Sequence, residues 1–426
     1  MTNALPSALG HSSPPFRTVV TLPPGPGRVV DGGAPSRFRV PPGPKRAHRP
    51  RQRVKLGLCR KILVVKLDFI GDHILTLPFL ANLRLNAPRA DITLVVLDRA
   101  FPFAAPCRYV DRVVTVSAAS GRRITFGAAT ARALAQFRND YVGGAFDLAL
   151  IPRWDVDFNG ALQVASGSRA PRIAGFAERS TPGRAAFNRG EDRYFTDIAI
   201  DRRSVHEVEH KLALLVAIGG RVKTLRAVLD LSAVDRAAAA AFIKTSFPTV
   251  RPILAVAPFV TDQRRQYPPD RLARIVAQLA ESLDLNVVVV GGRLDKDAGE
   301  AFAASVGARA VSSLASIEPR PSAALIEQCA ALIGMDSGPA HLAAAVGTPV
   351  AVINCHPEDG DPDHHNSPVR FAPWGDIGKV LIIRPDHATP PCAGSCRMDF
   401  PHCIAQLGEE QVLPVLTQFV QGFVTR

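Results

Sequence analysis

The sequence predicts an α/β protein of two successive units facing a cleft, preceded by a disordered tail. Three observations carry this. Apolar, β-branched runs at Lys61-Ile-Leu-Val-Val-Lys66 and Arg251-Pro-Ile-Leu-Ala-Val-Ala257 each open a strand–helix–strand pattern with short links, so the pattern starts twice. The 426 residues suit two or three domains, and a 47% hydrophobic fraction can fill a core in each. Residues 1–55 differ from both units: they are rich in proline and arginine and show no amphipathic period.

The first strand is Lys61–Lys66. Ile74, Leu77, Leu80 and Leu83 then recur every three or four residues, which predicts a helix with one buried face across Leu67–Arg84. Asp91–Leu97 is the next strand. Further strands are expected at Arg112–Val116, Leu148–Ile151 and Arg172–Gly175, with helices at Thr130–Arg138 and Glu207–Ile218. In the second unit, strands are expected at Arg251–Ala257, Leu285–Val290, Ala331–Gly334 and Pro349–Ile353. Helices fall at Asp270–Leu283, Ser322–Cys329 and Gly338–Val346, and a last amphipathic helix at Glu409–Phe423. The resulting division is a tail at 1–56, a first domain at 57–225, a second at 226–405 and a terminal helix at 406–426.

The net charge of +13 invites a nucleic-acid reading, but its distribution removes it. Residues 1–55 hold ten Lys and Arg against Asp31 alone, so the rest of the chain is close to neutral. Nucleic acid is therefore not an expected partner. The tail reads as a solvated extension, or as an electrostatic tether giving peripheral contact with the inner face of a membrane. No apolar run is long enough to span a bilayer, and no apolar core of a signal peptide follows the charges. A cytoplasmic, at most membrane-associated, protein is expected.

In open α/β sheets, ligands bind beyond the carboxyl ends of the strands. Three segments sit there. Gly71-Asp72 follows the first strand at a helix start; Asp72 reads as a helix cap or as a general base, and Asp68 competes for the second role. Thr261 and Arg265 follow the strand that opens the second unit. A hydroxyl and a forked guanidinium suit a phosphate, the alternative being a solvated basic loop. The run Gly334-Met-Asp-Ser-Gly-Pro-Ala-His341 ends a strand and starts a helix with Asp336, Ser337, Gly338 and His341, an arrangement suited to an anion. His341 could equally be a buried structural histidine. No Walker A loop and no Gly-x-Gly-x-x-Gly fingerprint matches this spacing.

Together these runs resemble a family. Lys61-Ile-Leu-Val-Val-Lys-Leu-Asp-Phe-Ile-Gly-Asp-His-Ile-Leu-Thr-Leu-Pro78 is similar to the N-terminal signature of glycosyltransferase family 9, the heptosyltransferase family. Gly334–Pro349 resembles that family's Asp-(Ser/Thr)-Gly-x-x-His signature, and Arg265-Gln-Tyr-Pro268 its Lys-x-Trp-Pro element, with Arg265 and Tyr267 replacing Lys and Trp. The resemblance implies a GT-B fold of two Rossmann-like domains, the first receiving the acceptor and the second a nucleotide-sugar donor. The last helix would pack back towards the first domain. It implies an inverting, metal-independent transfer, with ADP-heptose the best-known donor and no cofactor. By match, Asp72 would be the catalytic base, and Thr261, Arg265, Asp336, Ser337, Gly338 and His341 would bind donor. The expected acceptor is a cell-surface glycan or lipid-linked molecule; lipopolysaccharide core, another lipid-linked glycan and a soluble acceptor all stay open. The competing readings are a non-catalytic nucleotide-sugar-binding protein and a sugar-nucleotide epimerase of related fold.

Three other clusters need an assignment. Asp155-Val-Asp157 has the spacing of a metal motif, but reads here as structural or as an acceptor contact. Asp359–His365 reads as a solvated cleft loop. Cys392, Cys396, His402 and Cys403 could hold zinc or form a disulfide. Reduced thiols in a compact loop, far from the chemistry, are the favoured expectation, and no metal is assigned.

Overall fold

The computed structural model describes residues 19–22, 54–116, 146–226, 228–376, 378–392 and 398–424. The expected helix at 130–138 and Cys396 lie outside them.

The first sheet contains β1 (Val19–Leu22), β2 (Lys61–Lys66), β3 (Asp91–Leu97), β4 (Arg112–Val116), β5 (Leu148–Leu150), β6 (Ile173–Phe176) and β7 (Asp197–Ala199). All pairs are parallel and the order is β1-β4-β3-β2-β5-β6-β7. Ile62 of β2 faces Ile92 on one side and Leu148 on the other. Within the segment read as a tail, Val19–Leu22 adds this sheet's edge strand, in keeping with its β-branched Val-Val-Thr composition.

The second sheet contains β8 (Ile253–Ala257), β9 (Asn286–Val289), β10 (Ala310–Ser312), β11 (Ala331–Met335), β12 (Val350–Ile353) and β13 (Val380–Ile383). It is also parallel, in the order β10-β9-β8-β11-β12-β13. Leaving β1 aside, both sheets follow the doubly wound order in which the chain reverses direction beside its first strand. The switch points fall between β2 and β5 and between β8 and β11. β8, β9, β11 and β12 are buried throughout, the pattern expected when helices cover both faces.

The helical stretch after β2 divides into Ile70–Ile74 and Leu77–Asn86. Pro78 explains the break: it has no N–H to continue the ladder and it disfavours helical geometry just before it. Thr76 Oγ1 donates to the Asp72 carbonyl at 2.7 Å, which satisfies one of the orphaned acceptors.

One apolar cluster runs through both domains, from Ile62, Leu80 and Leu94 to Leu325, Ala340 and Val350. The contact is made where the Ile70–Ile74 helix meets Gly338–Val346, and where Phe101–Ala104 meets Pro319–Glu327. The terminal helix, Glu409–Val424, departs from expectation. Its apolar face, Val412, Leu416 and Val420, joins Leu272, Ile275 and Leu279 in the second domain's outer core. Arg274 pairs with Glu409 at 2.6 Å and Arg271 donates to the Ala405 carbonyl at 2.7 Å. The helix therefore braces the domain it follows rather than turning back to the first. Among the described residues, no helix is long and apolar enough to cross a membrane.

Candidate active site

Both switch points open on the same cleft, and the chemistry-bearing residues sit at its two walls. On the first wall, β2 ends in Lys66, a buried cation after four apolar residues. Its Nζ contacts the Asp68 carboxylate, which also receives Arg153 from the turn after β5. Burial alone would raise the Asp68 carboxyl, but Arg153 and Lys66 outweigh it and hold it below its ordinary value. Asp68 is thus ionised, enclosed and doubly paired.

Asp72 is placed differently. It occupies the first turn of Ile70–Ile74, its side chain is 21% exposed, and the nearest cation is Lys66 Nζ at 3.8 Å. The next residue, His73, is buried, and its imidazole is pushed down to about 4 by burial and by Lys66. Of the two competing carboxylates, only Asp72 is open to a ligand.

Behind this wall lies a charged network that sequence reasoning missed. Glu207 pairs with Lys211 one turn along its helix at 3.0 Å and receives Arg370 of the second domain at 2.6 Å. Arg370 also reaches Asp155 at 2.9 Å and lies over the Trp154 ring. Burial opposes the Glu207 charge, yet Lys211 and Arg370 hold its carboxyl well below the ordinary range. The spacing Glu207-x-x-x-Lys211 and a lysine ending an apolar strand were the available signals. The partner across the domains, Arg370, had none. Asp155 is therefore an interdomain anchor, while the Asp157 carboxylate accepts from the backbone N–H groups of Asn159 at 3.2 Å and Leu162 at 3.1 Å. Neither offers a metal motif's open carboxylates. Of the loop read as solvated, Asp359, Asp361 and His365 are exposed, but Asp363 and His364 are half-buried and the Asp363 carbonyl accepts from Arg370 at 2.8 Å.

On the opposite wall, β11 delivers Asp336 and the helix Gly338–Val346 delivers His341. Arg265, from the turn after β8, donates to Asp336 Oδ2 at 3.2 Å and to its carbonyl at 3.3 Å. Asp336 Oδ1 lies 3.4 Å from His341 Nε2. One carboxylate thus holds both a guanidinium and an imidazole. The buried Arg265 Nε and His341 Nδ1 have no hydrogen-bond partner among the described residues. Ser337 stands at the N-cap position, but its hydroxyl donates back to the Met335 carbonyl at 3.3 Å, so no side chain caps this helix. Gly338 faces Ile70 of the first domain. Thr261 is exposed in the same loop as Arg265, and the structure does not bring it to the Arg265–Asp336–His341 group. Tyr267 is fully buried; its hydroxyl donates to the Leu407 carbonyl at 2.9 Å, so this aromatic ring is a core brace rather than a cleft surface.

Residues 156–356 match the model of glycosyltransferase family 9 (heptosyltransferase). The resemblance drawn from the motifs holds. The matched stretch takes in Thr261, Arg265 and the Asp336–His341 run, while Asp72 lies ahead of it. No curated protein sequence matches the chain. Among solved structures, it is similar to a glycosyltransferase family 9 protein from Veillonella parvula DSM 2008, at 17% identity and a TM-score of 0.68, covering 87% of this chain and 99% of that one. It is similar to E. coli ADP-heptose lps heptosyltransferase II at 19% identity and a TM-score of 0.61, covering 85% and 99%. E. coli heptosyltransferase WaaC with ADP follows at 16% identity and a TM-score of 0.61, covering 84% and 99%. At these identities the likeness establishes the fold: a heptosyltransferase-like GT-B arrangement of two α/β domains.

Proposed function

We propose that this chain is an inverting glycosyltransferase that moves a sugar from a nucleoside-diphosphate donor to a hydroxyl of a glycan or lipid-linked acceptor. The observation that carries the proposal is the pairing of an accessible carboxylate, Asp72, with the Arg265–Asp336–His341 group across one cleft. The reaction is a direct displacement. The acceptor hydroxyl gives its proton to Asp72 as its oxygen bonds to the anomeric carbon. The bond from that carbon to the diphosphate breaks, and the nucleoside diphosphate leaves on the opposite face. Arg265 and the uncapped amides at Ser337–Gly338 are suited to the charge that develops there. Asp336 orients Arg265 and His341 rather than meeting the phosphate itself. Thr261 lies four residues before Arg265 in the same loop and is exposed, so its donor role is the least supported of the set.

ADP-heptose is the donor to test first, because similar structures carry ADP or an ADP-heptose analogue. No metal is needed for the transfer itself, since Arg265 and the helix amides supply the positive field. The reading also places the protein at the cytoplasmic side of a membrane, with the basic residues of 1–55 as its electrostatic contact. Incubation with ADP-heptose and a lipopolysaccharide-core acceptor, with the product anomer read by NMR, tests the reading. Transfer with inversion supports it. Donor turnover without acceptor would indicate an epimerase, and tight donor binding without turnover a binding protein.

A further inference from the structure

The cysteine cluster near the C-terminus is assembled in a way the favoured sequence reading did not anticipate. Cys392 and Cys403, both buried, converge on one atom of His402: its Nδ1 lies 3.6 Å from Cys392 Sγ and 3.7 Å from Cys403 Sγ. All three ligand atoms lie within 4.8 Å of one another. A zinc ion with Zn–S near 2.3 Å and Zn–N near 2.05 Å at tetrahedral angles would hold sulfur and nitrogen roughly 3.6 Å apart. The two observed sulfur–nitrogen spacings match that geometry.

We propose that Cys392, His402 and Cys403 bind one divalent transition-metal ion of the zinc class. Two thiolates and an imidazole are the soft donor set that selects such an ion over magnesium or calcium. Binding would release the two thiol protons and leave Nε2 of His402 carrying the ring proton. Three protein ligands leave a fourth position. The pocket is also lined by Arg264, Cys355 and His356, so the site borders the Gln263–Arg265 turn that presents Arg265. It is therefore close to the donor wall, not remote from it. The ion would clip the segment after β13 to the buried Ile404 turn, and so fix the base of the terminal helix.

The test uses the full chain, purified under reducing conditions and titrated with Co²⁺ as an optical probe. One equivalent should produce thiolate-to-cobalt charge-transfer absorption with the intense visible bands of a tetrahedral ion, and Zn²⁺ should displace it. Cys403→Ser should abolish the charge-transfer signal or weaken binding at least tenfold. His402→Ala should weaken binding similarly, with the melting curve reporting that each variant is folded. Absence of the band in folded wild-type protein with all thiols titratable would overturn the site in favour of hydrogen-bonded thiols. A Cys392 disulfide persisting under these conditions, or a band indifferent to Cys403→Ser, would also overturn it.

Discussion

His341 packs against Gly71 so closely that a Cβ at position 71 would sit 2.6 Å from its Cδ2 and 3.1 Å from its Nε2. This contact joins the two walls of the cleft. It sets the residue beside Asp72 against the residue held by Asp336. The ring cannot swing away cheaply, because it is buried and tethered to Asp336. Gly71→Ala should therefore push the domains apart locally. We expect kcat/KM to fall by roughly 10–100-fold, the scale for a misplacement near 1 Å, and the melting temperature to fall as well, since overpacking a buried contact costs about 1–3 kcal/mol. Unchanged kinetics would show that the cleft does not work in this closed form.

Asp72 and Asp68 make opposite predictions although they lie four residues apart. Asp72→Asn should leave folding and donor binding nearly intact and lower turnover by roughly 10²-fold or more, the scale for a positioned base. Asp68→Asn removes the shared partner of buried Lys66 and Arg153 and should cost about 3–5 kcal/mol of stability, as breaking a buried pair does. Denaturant melts and steady-state rates of both variants separate the two roles. Near-normal turnover in a folded Asp72→Asn protein would rule it out as the base.

How much of this was legible in the sequence depends on the range of the interaction. β2, β3 and β4 match their expected bounds because unbroken β-branched runs between turn signals leave no other choice. Gly338–Val346 was legible from Gly338-Pro339 at its start and Gly347 at its end, where φ is +87°. The Ala233–Ser246 helix was missed, since its alanine run shows no strong period, although Ser232 and Asp235 form a capping box. β13 was missed because its four apolar residues sit alone between loops. In the site, Asp72, Arg265, Asp336 and His341 lay in readable motifs. The Arg370–Glu207 pair did not, because 163 residues separate its members and only the domain contact brings them together.

Arg265 is held by Asp336, with its Nε buried and unpartnered among the described residues. Arg265→Ala should weaken nucleoside-diphosphate binding by about 1.5–3 kcal/mol, the range for a hydrogen bond to a charged group. Arg265→Lys should recover the charge but not the fork, and hence only part of the affinity. Calorimetry with ADP decides the matter. The same affinity in the Ala variant would remove Arg265 from the donor site.

Stability should fall steeply between pH 6.5 and pH 4, and the histidines set the sign. Burial depresses His206 to about 4, and likewise His73, where Lys66 adds to the effect. His206 also has a structural reason to stay neutral: its Nδ1 accepts from the Val208 N–H at 3.2 Å while its Nε2 donates to the Ala372 carbonyl, in the second domain, at 2.8 Å. Protonating Nδ1 would break the cap. Between the folded value and the unfolded value near 6.5, the unfolded chain binds a proton that the native protein does not. Each histidine's contribution is thus fully present above about 6.5 and is lost as pH falls towards 4, on the order of 3 kcal/mol each. Glu191, raised to about 7 by burial and by Asp157, shifts by as much in the opposite sense and offsets about one of the two histidines across the same window, so the net fall is that of the other. Asp68 and Glu207, whose values are lowered, contribute their loss only below about 4, so the two regimes separate on the pH axis. Melting temperatures of wild type and His206→Gln from pH 7.5 to pH 4.5 test this. The variant should show the shallower fall, because glutamine can keep the donor and acceptor roles without titrating. Parallel curves would mean that His206 is not held neutral at the domain contact.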